Sequence, residues 1–411
     1  MDHGDVAWIL TSSALVFIMT PGLAFFYGGL VKRKNIINTM MSSVIVLGIG
    51  SILWVLIGFS LSFSGDAGGV IGNLHWWGLN FNGLTDMTLP YPNTLGFAVF
   101  QMMFAIITPA LITGAIAERM KFSSLVVFTT VWSIIVYYPL AHMVWGGGFL
   151  SQIGSVDFAG GNVVHISSGV SALVLAILLG RRKHYGRATY HPHNAPFVFL
   201  GAALLWFGWF GFNAGSALSS SALAIHAFMT TNTSAAAALL SWVLIEKLTS
   251  GKPTLVGAAT GLVIGLVAIT PGAGFVPIWS SVIIGFLVSP ICYFFISVVK
   301  KKFGYDDALD VFGCHGIGGI WGGIATGLFA QKSINSAAAW DGLVFGDAHL
   351  FVRQLAAIGI TIVIAVAGTL IATGIASLCT KGIKVAPRDE DIGLDISEHG
   401  ESAYPAFNGM D

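Results

Sequence analysis

Eleven apolar stretches separated by short polar breaks constrain this chain more than any other feature. They fall at approximately 6–30, 36–63, 95–118, 122–143, 161–180, 195–215, 222–246, 254–270, 276–299, 311–329 and 350–380. Most have about 18–25 residues, the length that carries an α-helix across a hydrocarbon core of roughly 30 Å. Inside that core every backbone N–H and C=O must be paired within the protein, so such segments fold as helices. Composition agrees: 55% of the 411 residues are hydrophobic and 9% are charged, against roughly 25% charged in a soluble domain. The expectation is an all-α membrane protein with eleven transmembrane helices, residues 1–380 forming the membrane domain. The opening MDHGDVAWIL has two aspartates and no Lys or Arg before its apolar run. That is the wrong polarity for a signal peptide, so the run is expected to be retained as a span.

The charges test this count. With the N-terminus outside, the inner segments hold Lys32, Arg33, Lys34; Arg119, Lys121; Arg181, Arg182, Lys183, Arg187; Lys247, Lys252; Lys300, Lys301, Lys302; and Lys381, Lys384, Arg388, which is 17 of the 19 basic residues. Only Lys332 and Arg353 fall outside. An excess of Lys and Arg in cytoplasmic loops sets orientation, so an N-out, C-in multi-pass protein of the cell membrane is expected. A missed or added span would scramble the separation. The formal net charge is zero, which gives no field to attract nucleic acid. Cys292, Cys314 and Cys379 lie in apolar segments and supply neither a disulfide framework nor metal-ligand spacing. After Cys379 the chain turns polar and acidic; residues 381–411 read either as a solvated, partly disordered tail or as a regulatory, subunit-contacting element.

Two histidines sit at membrane depth. Asp157 precedes His165 by eight residues and Asp310 precedes His315 by five. The fifth and tenth stretches thus share a plan, and an odd number of spans per unit inverts the second copy. The reading is a pseudo-two-fold inverted repeat of spans 1–5 and 6–10 plus an eleventh helix, with the site at the interface of the halves near the midplane. One such histidine reads equally as packing or function; one in each half favours function. Facing a lumen, the rings could share a hydrogen bond, one nitrogen donating and the other accepting. They would line an apolar path with polar nitrogens and no net charge, which suits a small neutral solute. A metal site lacks a third ligand, because Cys314 points about 100° around the helix from His315. The glycines of 313-GCHGIGGIWGGIATG-327 read as tight helix packing, with room for a lumen as the alternative.

Aromatic residues form a second group. In 206-WFGWFGFNAGSAL-218, Trp209, Phe212 and Ser216 share a helical face, and Phe104 and Trp145 are the rings that could meet them. Packing or an interfacial belt is one reading. A cage for a small cation is the other, since ring faces attract ammonium-like charge by roughly 0.5–2 kcal/mol each.

At these residues the chain resembles the ammonium transporter family, the Amt/Mep/Rh proteins, and its Amt branch in particular. The resemblance covers nearly the whole chain, through 21-PGLAFFYGGLVKRKN-35, 114-GAIAERMKF-122, 157-DFAGGNVVHI-166, 206-WFGWFGFNAGSA-217, 310-DVFGCHGIGG-319 and 393-GLDISEHGESAY-404. It implies an outer recruitment site of Trp145, Phe104 and Ser216, a gate of Phe104 and Phe212, and a pore pair of His165 and His315. It also implies Asp157 as a structural carboxylate of the vestibule. It implies a homotrimer with one pore per subunit, and a tail that contacts a neighbouring subunit and presents the cytoplasmic face to a PII-type signal protein. The expected function is ammonium transport: ammonium is recruited and deprotonated outside, and ammonia crosses past the histidines with net charge movement. The alternative is an ammonium sensor with little or no transport. No cofactor is expected, and an enzyme reading lacks a carboxylate or nucleophile beside the histidines.

Overall fold

The computed structural model describes residues 2–81, 94–186 and 191–404. Arg187, counted above among the inner basic residues, and tail residues 405–411 lie outside the described residues. Among the described residues the regular structure is helical, with two isolated bridges, Ala67 to Ile71 and Met120 to Lys384, and no strand. The principal helices are α1 (His3–Leu30), α2 (Arg33–Phe63), α3 (Thr94–Ile116), α4 (Phe122–Gln152), α5 (Gly161–Leu179), α6 (Ala195–Gly215), α7 (Ala222–Thr249), α8 (Leu255–Ile269) and α9 (Ile278–Phe303). The wide turn Phe312–Gly316 runs into Ile317–Phe329 as α10, and α11 is His349–Thr380. The tail adds α12 (Pro387–Ile392) and α13 (Leu394–His399).

Each expected stretch coincides with one of α1–α11. Among the described residues nine are long and apolar enough to cross a membrane. The other two are α8, whose 15 residues rise roughly 22 Å at 1.5 Å each, and the glycine-rich α10. Local chemistry sets several boundaries. Asp2 accepts the N–H groups of Gly4 and Asp5 to start α1, and Thr254 caps α8 through the Gly257 N–H. Gly304 takes the left-handed conformation that ends α9. Ile225, Leu248 and Leu378 are at least 75% exposed, so the outer surface of the bundle is apolar, as hydrocarbon surroundings require.

Packing repeats with a shift of five. In the first half α1 lies against α2 and α3, α2 against α3 and α4, and α3 against α5; in the second, α6 lies against α7 and α8, α7 against α8 and α9, and α8 against α10. The halves meet where α1 crosses α6 and where α5 crosses α10, and α11 lies outside the pattern against α4, α5 and α10. Both crossings depend on glycine. A Cβ on Gly201 of α6 would stand 2.2 Å from the Phe26 nitrogen, and one on Gly169 of α5 would stand 2.1 Å from the Gly316 nitrogen. Small residues let the backbones touch.

The basic loops gather at one end. There Arg182 donates to Asp306 Oδ1 at 2.8 Å and to Glu118 Oε2 at 2.9 Å, and all three side chains are buried. Burial raises the Asp306 carboxyl, yet its bonds and charge contact with Arg182 outweigh this and hold it below the ordinary carboxylate range. Arg119, fully buried, donates to the carbonyls of Gly180 and Asp306, closing the loop ends onto one another. Of the two readings left open for the tail, the solvated one does not describe its bonded residues. Asp395 accepts the Asn38 N–H at 2.9 Å, Asn35 accepts the Leu394 N–H at 2.8 Å, and Glu398 accepts the Phe122 N–H at 2.9 Å. Lys34 and Lys183 bind the acidic α12. The side chains of Glu390, Asp391, Asp395 and Glu398 thus bond to helix starts and basic loops of the same chain.

Candidate functional site

The two histidines stand on unusual turns. α5 begins with the π turn Gly161–Ile166 and α10 with the π turn Phe312–Gly316, a widening that recurs at functional positions. The close approach of Gly169 to Gly316 brings the turns together. His165 Nδ1 and His315 Nδ1 are 3.3 Å apart, with ring centroids separated by 5.3 Å and planes inclined by 21°. Two like nitrogens at that distance require one donor and one acceptor. His165 is 1% exposed and His315 4%, and the buried Nε2 of His165 has no protein partner.

A carboxylate starts the α5 turn. Asp157 Oδ1 accepts the N–H groups of Gly160 and Gly161 at 2.8 and 2.6 Å, and Oδ2 those of Asn162 and Val163 at 2.7 and 3.5 Å. This wrap needs Gly160 at φ 123°, a conformation open to glycine. Burial pushes the Asp157 carboxyl above its ordinary value, and the four amides oppose the shift. In the other half the sequence pairs Asp310 with Asp157, and the structure corrects this. Asp307 Oδ2 accepts the Phe312 N–H at 2.7 Å, whereas Asp310 is turned at φ 60° to pair with Lys300 at 2.5 Å. The signal was present: Asp307 precedes His315 by eight residues, as Asp157 precedes His165.

Aromatic rings close one side of the pair. Phe104 and Phe212 lie 4.2 Å apart between centroids, inclined by 34°, and the half-buried Trp145 meets Phe104 edge-on at 5.9 Å. Trp209 stacks on His165 at 5.4 Å and 20°. The Trp145 indole N–H donates to the Asp157 carbonyl at 2.9 Å, which ties this ring to the residue that starts the histidine turn. Ser216 ends α6 and donates to the Phe212 carbonyl at 2.8 Å, leaving its oxygen lone pairs to accept.

Below the Phe104 and Phe212 rings, His165, His315, Trp209 and Phe212 line a narrow cavity with Phe26 and other apolar side chains, and no charged residue. It measures about 10 Å³, on a scale where one water needs roughly 10–15 Å³. Phe26 also borders a second cavity of about 250 Å³ at the basic-loop end, lined by Glu118, Arg182, Asp310 and Cys314 among others. Phe26 therefore stands between the two spaces. Sequence reasoning passed over it, since nothing in a uniformly apolar helix distinguishes a ring at a constriction. It also passed over His142, buried three residues before Trp145, whose ring nitrogens face the Ser62 carbonyl at 3.1 Å and Asp66 at 3.0 Å. Among the described residues no three His, Cys, Asp or Glu side chains are grouped to hold a metal ion.

Comparison with known proteins follows the same outline. The family model described as Ammonium Transporter Family matches residues 7–404. An ammonium transporter of Bacillus subtilis is 51% identical over 406 residues, covering 98% of this chain and 99% of that protein. The crystal structure of Saccharomyces cerevisiae Mep2 superposes with a TM-score of 0.87 at 35% identity, covering 99% of this chain and 93% of its own. A structure titled Sensor Amt Protein superposes with a TM-score of 0.87 at 29% identity, covering 96% of this chain and 98% of that one.

Proposed function

The chain belongs to the ammonium transporter family, and from that premise we propose that it carries ammonium across the cell membrane through the narrow cavity at His165 and His315. The observation that carries the reading is the uncharged, water-sized cavity beneath the Phe104 and Phe212 rings, with the histidine pair on its wall. A dehydrated ammonium ion left unpaired there would cost several kcal/mol, and no carboxylate lines the cavity. Ammonium is bound at the mouth by the ring faces of Trp145 and Phe104 and by the Ser216 oxygen. It loses its proton there. Ammonia passes as the Phe104 and Phe212 rings part, and the histidine nitrogens hold it by hydrogen bonds; the proton crosses separately, so charge moves. Asp157 supports the vestibule by fixing the turn that presents His165.

In this reading α1–α11 all cross the bilayer, N-terminus outside and C-terminus inside, as two inverted halves plus α11. Residues 1–380 are the transport domain and 381–411 the cytoplasmic tail. The assembly is a homotrimer, and the tail side meets a PII-type signal protein. A second reading, an ammonium sensor, draws support from the likeness to the sensor structure and from the tail bonded to the basic loops.

Reconstituted membranes given ammonium pulses test the proposal. The wild type should give currents, and His165→Ala or His315→Ala should abolish them or alter ammonium selectivity while the protein still inserts. Unchanged currents and selectivity in both variants would remove the pair from the mechanism. Wild-type liposomes that bind ammonium and take none up would favour the sensor.

A further inference from the structure

We infer that Gln354 is a positioning residue for the ammonium mouth, acting from α11 on Trp145 through the backbone of Val156 and Asp157. The inference rests on the reading of Trp145 as the recruiting ring.

Gln354 is 1% exposed in the second turn of the apolar helix α11, where a buried amide is costly unless both its halves are paired. Both are, and to a single residue: its Nε2 donates to the Val156 carbonyl at 2.8 Å and its Oε1 accepts the Val156 N–H at 2.9 Å. Two bonds to one residue fix its rotation as well as its position. The next residue carries the consequence, because the Asp157 carbonyl accepts the Trp145 indole N–H and the Asp157 carboxylate starts the turn that holds His165. On the far side the Phe158 N–H donates to the Pro271 carbonyl at 3.0 Å. Residues 156–158 are thus held from both flanks, by α11 and by the turn that follows α8.

The same face of α11 continues the contact. Thr361, seven residues on, donates to Asn162 Oδ1 at 3.5 Å, and Thr369, eight further, to Ser171 Oγ at 2.7 Å. A spacing of seven then eight keeps one helical face in line. Each partner lies on α5 or on the segment leading into it. Helix α11 stands outside the shift-of-five packing, and its buried polar groups at these positions serve the helix that carries His165. Gly327 of α10 makes room, since a Cβ there would stand 3.3 Å from Gln354 Cγ.

The test compares initial rates of ammonium uptake by proteoliposomes holding wild type, Gln354→Leu, Trp145→Leu and the double variant. Gln354→Leu keeps the bulk and removes both hydrogen bonds. Its half-saturating concentration should rise about fivefold with the maximal rate within about twofold of wild type, the signature of lost ground-state binding. Because Gln354 acts through Trp145, the double variant should match Trp145→Leu alone. An unshifted half-saturation in Gln354→Leu, a loss confined to the maximal rate, or additive effects in the double variant would overturn the inference while leaving the recruitment reading standing. If Trp145→Leu itself leaves half-saturation unchanged, the recruitment reading falls, and this inference with it. Should Gln354→Leu elute as aggregate, Gln354→Met keeps the length and flexibility without the bonds and carries the same expectations.

Discussion

Asp307 takes the place at the start of α10 that the sequence reading gave to Asp310. Its side chain is 1% exposed, one oxygen accepts the Phe312 N–H and the other has no partner. Burial raises its carboxyl to about 6, with Lys300 opposing and Asp310 reinforcing the shift. The sign follows from linkage: between the ordinary value near 3.8 and about 6 the folded chain keeps a proton that the unfolded chain gives up. This contribution to stability is therefore complete below about 4 and is lost as pH rises through about 6. Melting in detergent from pH 4 to 7 should show a decline in the wild type that Asp307→Asn lacks. Equal slopes in the two proteins would mean that Asp307 titrates as an ordinary carboxylate. The choice of Asp307 over Asp310 was half legible, since the eight-residue interval to the histidine was on the page, but which aspartate turns back on the helix depends on the backbone at Asp310.

Among the elements, the crossing of α5 and α10 decides whether the histidines meet. Gly169→Ala places a methyl 2.1 Å from the Gly316 nitrogen, backbone that has no rotamer with which to yield. The helices must separate, at a cost of about 1–3 kcal/mol for overpacking, and the 3.3 Å contact of the rings must lengthen. Gly169→Ala should therefore melt lower and conduct poorly. Gly359→Ala on α11, where a Cβ meets nothing within 4 Å, should melt at or above wild type, since Gly in mid-helix costs roughly 0.5–1 kcal/mol relative to Ala. Equal behaviour of the two variants would show that the crossing tolerates a methyl. The π turns at this crossing were invisible in sequence, because a wide turn uses the same residue types as an α turn.

On the scale of the whole molecule, charge placement and helix packing make one topological claim. In the proposed reading eleven crossings put the ends on opposite sides, with the C-terminal end on the side of the basic loops, inside. A fluorescent reporter fused after Asp411 should mature, and a phosphatase fused there should stay inactive, with the reverse for fusions after Phe345, in the segment between α10 and α11. An active phosphatase at Asp411 would contradict the eleven-span reading. The tail belongs to this scale too. Its described residues reach the starts of α2 and α4 and the loop after α5, which lie hundreds of positions away in the chain.

Sequence alone determined the helical class, the positions of the apolar segments and the grouping of the basic residues into alternate loops, because each of these depends on local length, hydropathy and charge. It also singled out His165, His315, Trp145, Phe104, Phe212, Ser216 and Asp157 as residues to watch. Tertiary structure decided what touches what: which aspartate starts the α10 turn, that Phe26 divides two cavities, that Gln354 grips Val156, and that an acidic tail folds onto its own chain. Those outcomes depend on backbone direction at a few residues and on surfaces assembled from distant segments, and neither leaves a periodic mark in the order of side chains.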